Sequence, residues 1–300
     1  MRRRDRRYWY NLIRAGVIEL AAVLLCLFYI VLPIAYAGYT IHPRRAPVCC
    51  VTPADAGLAY EDVSFETSDG LTLRGWYIAS RGGAAVMIAH GLGGNRIGIG
   101  QLDQAAALAR RGLGVLLFDL RAHGESEGEA ISYAGTDALA ALAYLRNRDD
   151  VDPRRIGAAG LSLGAIVITQ AAAQDDDIKA LVLDGLGHAG FADFPPPGSV
   201  QDLAIVPYRW MTFKSLEASG VLSAAMIDVV DDIAPRPILF ISGAGQSLER
   251  DTLRRYFAAA GAPKMLWEIP EAGHAGTWLA RPREFEARIV AFFEQALLEK

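Results

Sequence analysis

Cysteine is nearly missing: three in 300 residues. Cys26 falls inside an apolar run, and Cys49 and Cys50 are adjacent, where a bridge between them would close only with strain, so no disulfide framework organises the chain. No Cys/His spacing of the zinc-binding kind occurs. Positive charge is not in excess either: 30 Lys and Arg stand against 34 Asp and Glu, a net charge of -4. A basic nucleic-acid footprint is therefore excluded as the organising feature. No segment repeats at a fixed period and none is of low complexity, which excludes solenoids and propellers. What is left is length enough for one large domain and an appendage.

The basic residues that do occur are unevenly placed. Arg2, Arg3, Arg4, Arg6, Arg7 and Arg14 crowd the start, ahead of a charge-free run from Leu20 to Tyr39. Such a run is long enough to cross a hydrocarbon core of ~30 Å as a helix. Only Arg44 and Arg45 lie just beyond it, so the positive-inside rule keeps the N-terminus in the cytoplasm and exports the remainder of the chain. Tyr8, Trp9 and Tyr10 on one flank, and Tyr36 and Tyr39 on the other, suit interfacial anchors. The expected layout is a basic leader over 1–16, a transmembrane signal anchor over 17–41, and a Pro- and Arg-containing linker over 42–57. A cleaved secretory signal is the alternative, with Ala35-Tyr36-Ala37 as its processing site and a secreted product cut near Ala37. A buried soluble helix is the third.

From residue 58 to 300 strands and helices alternate. Strands are expected over Glu61–Thr67 and Leu71–Ile78, joined by the turn Ser68-Asp69-Gly70, then over Ala84–Ala89, Leu113–Phe118, the run before Gly160, Ala180–Leu183, Pro237–Ile241 and Met265–Ile269. Helices are expected over Gln101–Arg111, Thr136–Arg148, Thr252–Ala260 and Pro282–Leu298. That alternation implies an α/β fold, a mostly parallel central sheet with helices on both faces and an antiparallel edge from the first hairpin. It breaks over 185–236, where Pro195-Pro196-Pro197, Tyr208-Arg209-Trp210 and a helix around Leu222–Val230 are expected to form a small lid.

Four strand ends carry unusual chemistry. After the third strand comes His90-Gly91-Leu92-Gly93-Gly94-Asn95. After the fourth comes Asp119-Leu120-Arg121-Ala122-His123-Gly124-Glu125-Ser126. The fifth ends in Gly160-Leu161-Ser162-Leu163-Gly164, and Gly273-His274 lies after the last strand. In Gly-x-Ser-x-Gly the glycines let neighbouring backbone pass while the serine is lifted from a strand-to-helix turn. In this order and spacing the four stretches resemble the α/β-hydrolase fold from about Glu61 to the C-terminus.

The resemblance implies Ser162 as nucleophile, His274 as general base, and the backbone N–H groups of Leu92 and Leu163 as the oxyanion hole. His90 and His123 are expected to bond backbone, and Asp119 with Arg121 to form an internal ion pair that shapes its turn. The acid departs from the commonest pattern. Where many relatives carry Gly-x-x-Asp, this chain has Gly243-Ala244-Gly245-Gln246, and glutamine cannot stabilise an imidazolium by charge. Glu249 in the same loop is the choice, with Asp184 and Asp251 as fallbacks; a helix-capping role is the other reading of Glu249. Leu92, Phe191, Trp210 and Phe213 are candidate pocket residues.

The expected activity is that of a membrane-anchored serine hydrolase, carboxylesterase- or lipase-like, cleaving an ester, thioester or amide of a small-molecule or lipid-like acyl substrate; the resemblance implies an acyl-enzyme and no metal or organic cofactor. A peptidase of the same fold is an alternative, weakened because His-Gly-Gly-Pro-Gly is missing. A non-catalytic membrane-tethered scaffold is another, supported by Gln246.

Overall fold

In a computed structural model, which describes residues 3–245 and 247–299, the chain opens with a helix built from α1 (Arg3–Cys26), a π-helical turn (Leu27–Val31) and α2 (Leu32–Ile41). Next are β1 (Glu61–Glu66), β2 (Thr72–Ile78), β3 (Gly83–Ala89), α3 (Gln101–Arg110), β4 (Gly114–Phe118), α4 (Thr136–Arg146), β5 (Val151–Leu161), α5 (Leu163–Gln174) and β6 (Ile178–Asp184). Then come α6 (Val200–Ala218), α7 (Met226–Val229), β7 (Ile238–Ser242), α8 (Ser247–Ala259), β8 (Lys264–Glu268), α9 (Thr277–Ala280) and α10 (Pro282–Leu297). Gln246 lies outside the described residues.

The chain divides into two compact units. The larger comprises His42–Pro195 and Val221–Lys300 and contains one eight-stranded sheet in the order β1-β2-β4-β3-β5-β6-β7-β8. β1 and β2 pair antiparallel, as do β2 and β4; all other neighbours are parallel. The expected mostly parallel α/β sheet with an antiparallel edge is the observed one. Successive strand side chains point to opposite faces, and both faces are covered: Ala85, Met87 and Ala89 enter one core, Ala84, Val86 and Ile88 the other. This is why β3 reads as an unbroken apolar run.

Register fixes where the strands stop. Ala89 stands opposite Phe118 and Gly160, Leu161 opposite Asp184, and Asp184 opposite Ile241. The loops that leave these ends therefore gather along one edge of the sheet, the carboxyl edge where open α/β sheets bind ligands.

The stretch 42–57, expected as a linker, is tied to that edge. Arg45 donates to the carbonyls of His123, Gly124, Ser126 and Gly128, and Asn95 Nδ2 to those of Ala46 and Pro47. The Asp119–Arg121 ion pair does not form. Asp119 instead accepts from the backbone N–H of Arg96 at 2.7 Å and from its guanidinium at 3.1 Å, while Arg121 pairs with Asp137 at 2.7 Å and Asp69 at 2.7 Å. Partners separated widely in sequence thus lock the turns after β3 and β4, and sequence adjacency pointed to the wrong ones.

The second unit comprises Met1–Ile41 and Pro196–Gly220. So the segment 185–236 is not one piece: its middle joins the N-terminal helix, and its two flanks stay with the sheet unit. Its main helix, α6, is absent from the sequence expectation, because Pro207 inside it and three prolines before it read as breakers. Only α7 and a 3₁₀ turn (Val230–Ile233) occupy the expected helix around Leu222–Val230.

Arg96 and Asp119 are both buried, and although Arg96 also pairs with the half-exposed Glu125, losing Asp119 removes its buried counter-charge and the acceptor of the Arg96 and Glu125 backbone N–H groups. Asp119→Ala is expected to destabilise the sheet unit by about 3–5 kcal/mol, read as a lowered denaturation midpoint of the full chain in detergent.

Candidate active site

β5 delivers Ser162 to the turn before α5, and the backbone there is strained: Ser162 has φ 52° and ψ -109°. Its N–H donates to the Asp184 carbonyl at 2.9 Å, which ties the turn to the end of β6. A Cβ on Gly164 would collide with the carbonyls of Ala89 and His90, and one on Gly160 with the Gly164–Ala165 backbone. Both glycines are thus required by close approach, and the hydroxyl of Ser162 is left at the carboxyl edge.

His274 comes from the loop after β8. Its Nε2 lies 2.9 Å from Ser162 Oγ and its Nδ1 2.9 Å from Glu249 Oε2. Glu249 sits in the first turn of α8, 8% exposed, and its other oxygen accepts from the Gly243 N–H at 2.9 Å. Since the carboxylate can only accept, Nδ1 carries the ring proton and Nε2 is free to accept from the serine hydroxyl. The hydrogen bond that His274 donates to Glu249 raises the His274 pKa, burial opposes it, and the charges of Glu249 and Asp184 add to the rise.

The two other carboxylates have other partners. Asp251, on α8, pairs with Arg250 at 3.2 Å. Asp184 ends β6, buried, and accepts from the Thr277 hydroxyl at 2.5 Å. Burial pushes its pKa up to about 7, against which the Thr277 bond works.

Leu92 belongs to a turn held by two buried histidines. His90 Nε2 accepts from Leu120 N–H at 3.0 Å and Nδ1 lies 2.8 Å from the Gly91 carbonyl; His123 Nε2 accepts from Gly93 N–H at 3.0 Å. Burial drops the His90 pKa to about 3, so the ring is neutral and keeps that acceptor. The turn brings Gly91 against the nucleophile: a Cβ there would lie 3.5 Å from Ser162 Cβ. Leu163 opens α5, where first-turn N–H groups have no helical acceptor. Phe191 lies in the sheet unit beside Phe194, ring centroids 5.9 Å apart, whereas Trp210 and Phe213 are on α6 in the second unit. Sequence reasoning missed Arg96, Asp137, Thr277 and Gly243 as partners of the site and its turns; only Asp119, at a strand end, hinted that a buried cation was needed. Among the described residues no group of three or more His, Cys, Asp or Glu side chains is arranged to hold a metal ion.

A serine, an imidazole and a carboxylate in line at the carboxyl edge of such a sheet define a class, and residues 85–288 match the model of the alpha/beta hydrolase family. The chain belongs to that family. It is 35% identical over 221 residues to an uncharacterized protein of Mycobacterium tuberculosis, covering 72% of this chain and 73% of the relative. It is also 28% identical over 251 residues to the uncharacterized protein YfhR of Escherichia coli, covering 79% and 81%. Among solved structures, an esterase of Pyrococcus furiosus superposes with a TM-score of 0.67 at 25% identity, over 86% of this chain and 98% of that one.

Asp184 yields a pH signature. Its folded pKa is above the unfolded value near 3.8, so the folded state holds a proton that the unfolded state releases, and stability falls as pH rises from about 4 to about 7. Asp184→Asn is expected to flatten that dependence, making the protein relatively more stable at pH 8 than at pH 5 when midpoints are compared with the parent.

Proposed function

We propose that the protein is a membrane-anchored serine hydrolase that cleaves an ester through an acyl-enzyme. The observation that carries this reading is the continuous chain Ser162–His274–Glu249, with both hydrogen bonds 2.9 Å long, at a strained turn. As Ser162 Oγ attacks the carbonyl carbon, His274 Nε2 takes its proton. Glu249 holds the ring in the right tautomer and stabilises the imidazolium. The N–H groups of Leu92 and Leu163 receive the oxyanion. The imidazolium then protonates the departing alkoxide, and the acyl group stays on Ser162. Water attacks that acyl-enzyme with His274 again as base, releasing the acid and restoring the hydroxyl.

An ester is favoured over an amide or thioester by the likeness to the Pyrococcus furiosus esterase. Asp184 is a poor third member, because its carboxylate accepts from the Thr277 hydroxyl while Glu249 holds the ring nitrogen. Anchoring rests on the 36-residue helix Arg6–Ile41, long and apolar enough to cross a membrane, behind the arginine cluster. By the positive-inside rule the hydrolase unit lies outside the cytoplasm.

Ser162→Ala should abolish labelling by a fluorophosphonate probe and hydrolysis of short p-nitrophenyl esters. Glu249→Gln should lower turnover about 10³–10⁴-fold with the fold intact, whereas Asp184→Asn should leave it within a few-fold. Labelled folded protein with unchanged activity in Ser162→Ala would overturn the assignment. Because Glu249 raises the His274 pKa and the base must be neutral, kcat/KM should climb with pH along a limb above the ordinary histidine value of about 6.5. In the residual activity of Glu249→Gln that limb should move down.

A further inference from the structure

Val200, Leu203, Pro207 and Trp210 recur along α6 at the spacing of a single helical stripe. On a helix of a water-soluble domain such a stripe faces the core, yet here Val200 is 81%, Leu203 62% and Trp210 46% exposed. A different stripe makes the helix's contacts. Ala204 accepts from the Tyr29 hydroxyl at 2.9 Å, the Tyr208 ring lies 5.5 Å from that of Phe28, and Thr212 and Leu216 beyond them are buried. These four residues succeed one another at intervals of one helical turn.

The depth of this contact matters. Tyr29 lies mid-run between Leu20 and Tyr39, about 15 Å of helix short of the outer tyrosine. Phe28, Ile30, Val31 and Ile34 around it are themselves exposed, as suits side chains that meet lipid. A medium that surrounds Tyr29 also surrounds Ala204, which is within hydrogen-bond distance of it. The uncovered stripe of α6 belongs to the same unit as the N-terminal helix, whose own apolar side chains are exposed. Asp202, the acidic residue near this end, is held by the Ser199 hydroxyl at 2.8 Å at the helix N-terminus.

We propose that α6 is immersed, through Val200, Leu203, Pro207 and Trp210, in the bilayer leaflet on the hydrolase side, and that the hydrolase takes a long-chain acyl ester from that leaflet. The second half rests on the function proposed above. Its structural basis is the route of the chain. Gly185, just past the end of β6, packs so close to His274 that a Cβ there would lie 3.3 Å from the ring, and from it the chain runs through His188 and Phe194, stacked at 4.0 Å, to Pro195 and into α6. The segment that begins at the candidate base is the one that enters the membrane unit. A substrate whose acyl chain stays in lipid until hydrolysis fits that continuity.

The test uses the full chain in phosphatidylcholine vesicles. In a Cys26→Ser, Cys49→Ser, Cys50→Ser background, an environment-sensitive fluorophore on Leu203→Cys should emit in the blue and be quenched by doxyl-labelled lipid, like one on Val31→Cys. One on Glu217→Cys should be quenched by aqueous iodide. Quenching of the Leu203 label by iodide and not by doxyl lipid overturns the immersion, whatever the activity. For the substrate, the Val200→Asp, Leu203→Asp double variant should lose about tenfold or more against p-nitrophenyl palmitate embedded in vesicles while hydrolysis of soluble p-nitrophenyl acetate is unchanged. The milder Val200→Ser, Leu203→Ser pair should move the same ratio in the same direction. Equal loss on both esters, or on neither, overturns delivery from the leaflet. A parent protein inactive on both esters refutes the hydrolase reading itself and leaves the quenching result to stand alone.

Discussion

The passage of the β5–α5 turn beneath the end of β3 constrains everything at the carboxyl edge. Gly164 lies so near the Ala89 and His90 carbonyls that no side chain fits there, and Gly160 is pinned against the same turn from the other side. Only that proximity brings the Leu92 turn, which continues from His90, beside Ser162. The parallel register then sets the remaining distances. Because Leu161 pairs with Asp184 and Asp184 with Ile241, the loops after β6 and β7 start level with the serine. Glu249 can therefore reach the same imidazole that reaches Ser162.

Three carboxylates near this edge differ in what surrounds them, and the differences assign them separate tasks. Asp119 faces a buried guanidinium and backbone N–H groups, so it closes a turn. Asp184 has a hydroxyl donor and a buried setting, and burial outweighs that bond, so it is drawn toward its neutral form. Glu249 is held by one backbone N–H and one imidazole N–H, which leaves its charge directed at His274. Two of the three stand at strand ends, and position alone would not separate them.

The same contrast sets how much of the molecule was legible in its sequence. Gly-x-Ser-x-Gly and Gly-His could be placed because strands and helices of this length alternate with little ambiguity, and their ends came out within a few residues. The carboxylate on His274 could be narrowed to Glu249, Asp184 and Asp251 but not fixed, because the choice depends on how a loop folds back between β7 and α8. Arg96 as the partner of Asp119 was invisible, since an ion pair across 23 residues leaves no local trace. α6 was invisible for another reason. Its apolar residues fall on two sides, one packed and one exposed, which blurs the amphipathic period, and Pro207 interrupts what pattern there is.

The packing of α6 bears on whether the N-terminal segment is cleaved. Removal of residues up to Ala37 would take away Phe28 and Tyr29, the partners of Tyr208 and Ala204, and most of α2, against which α6 packs. It would leave the stripe of α6 that starts at Ala204 and Tyr208 without its partners. A processing site that strips the partner from an otherwise unsupported helix is at odds with the way the two pack. The same contacts give the segment a task that a transient signal does not need. The retained helix proposed above accords with these contacts, and within the A-x-A tripeptide Ala37 is only 1% exposed whereas Tyr36 is exposed.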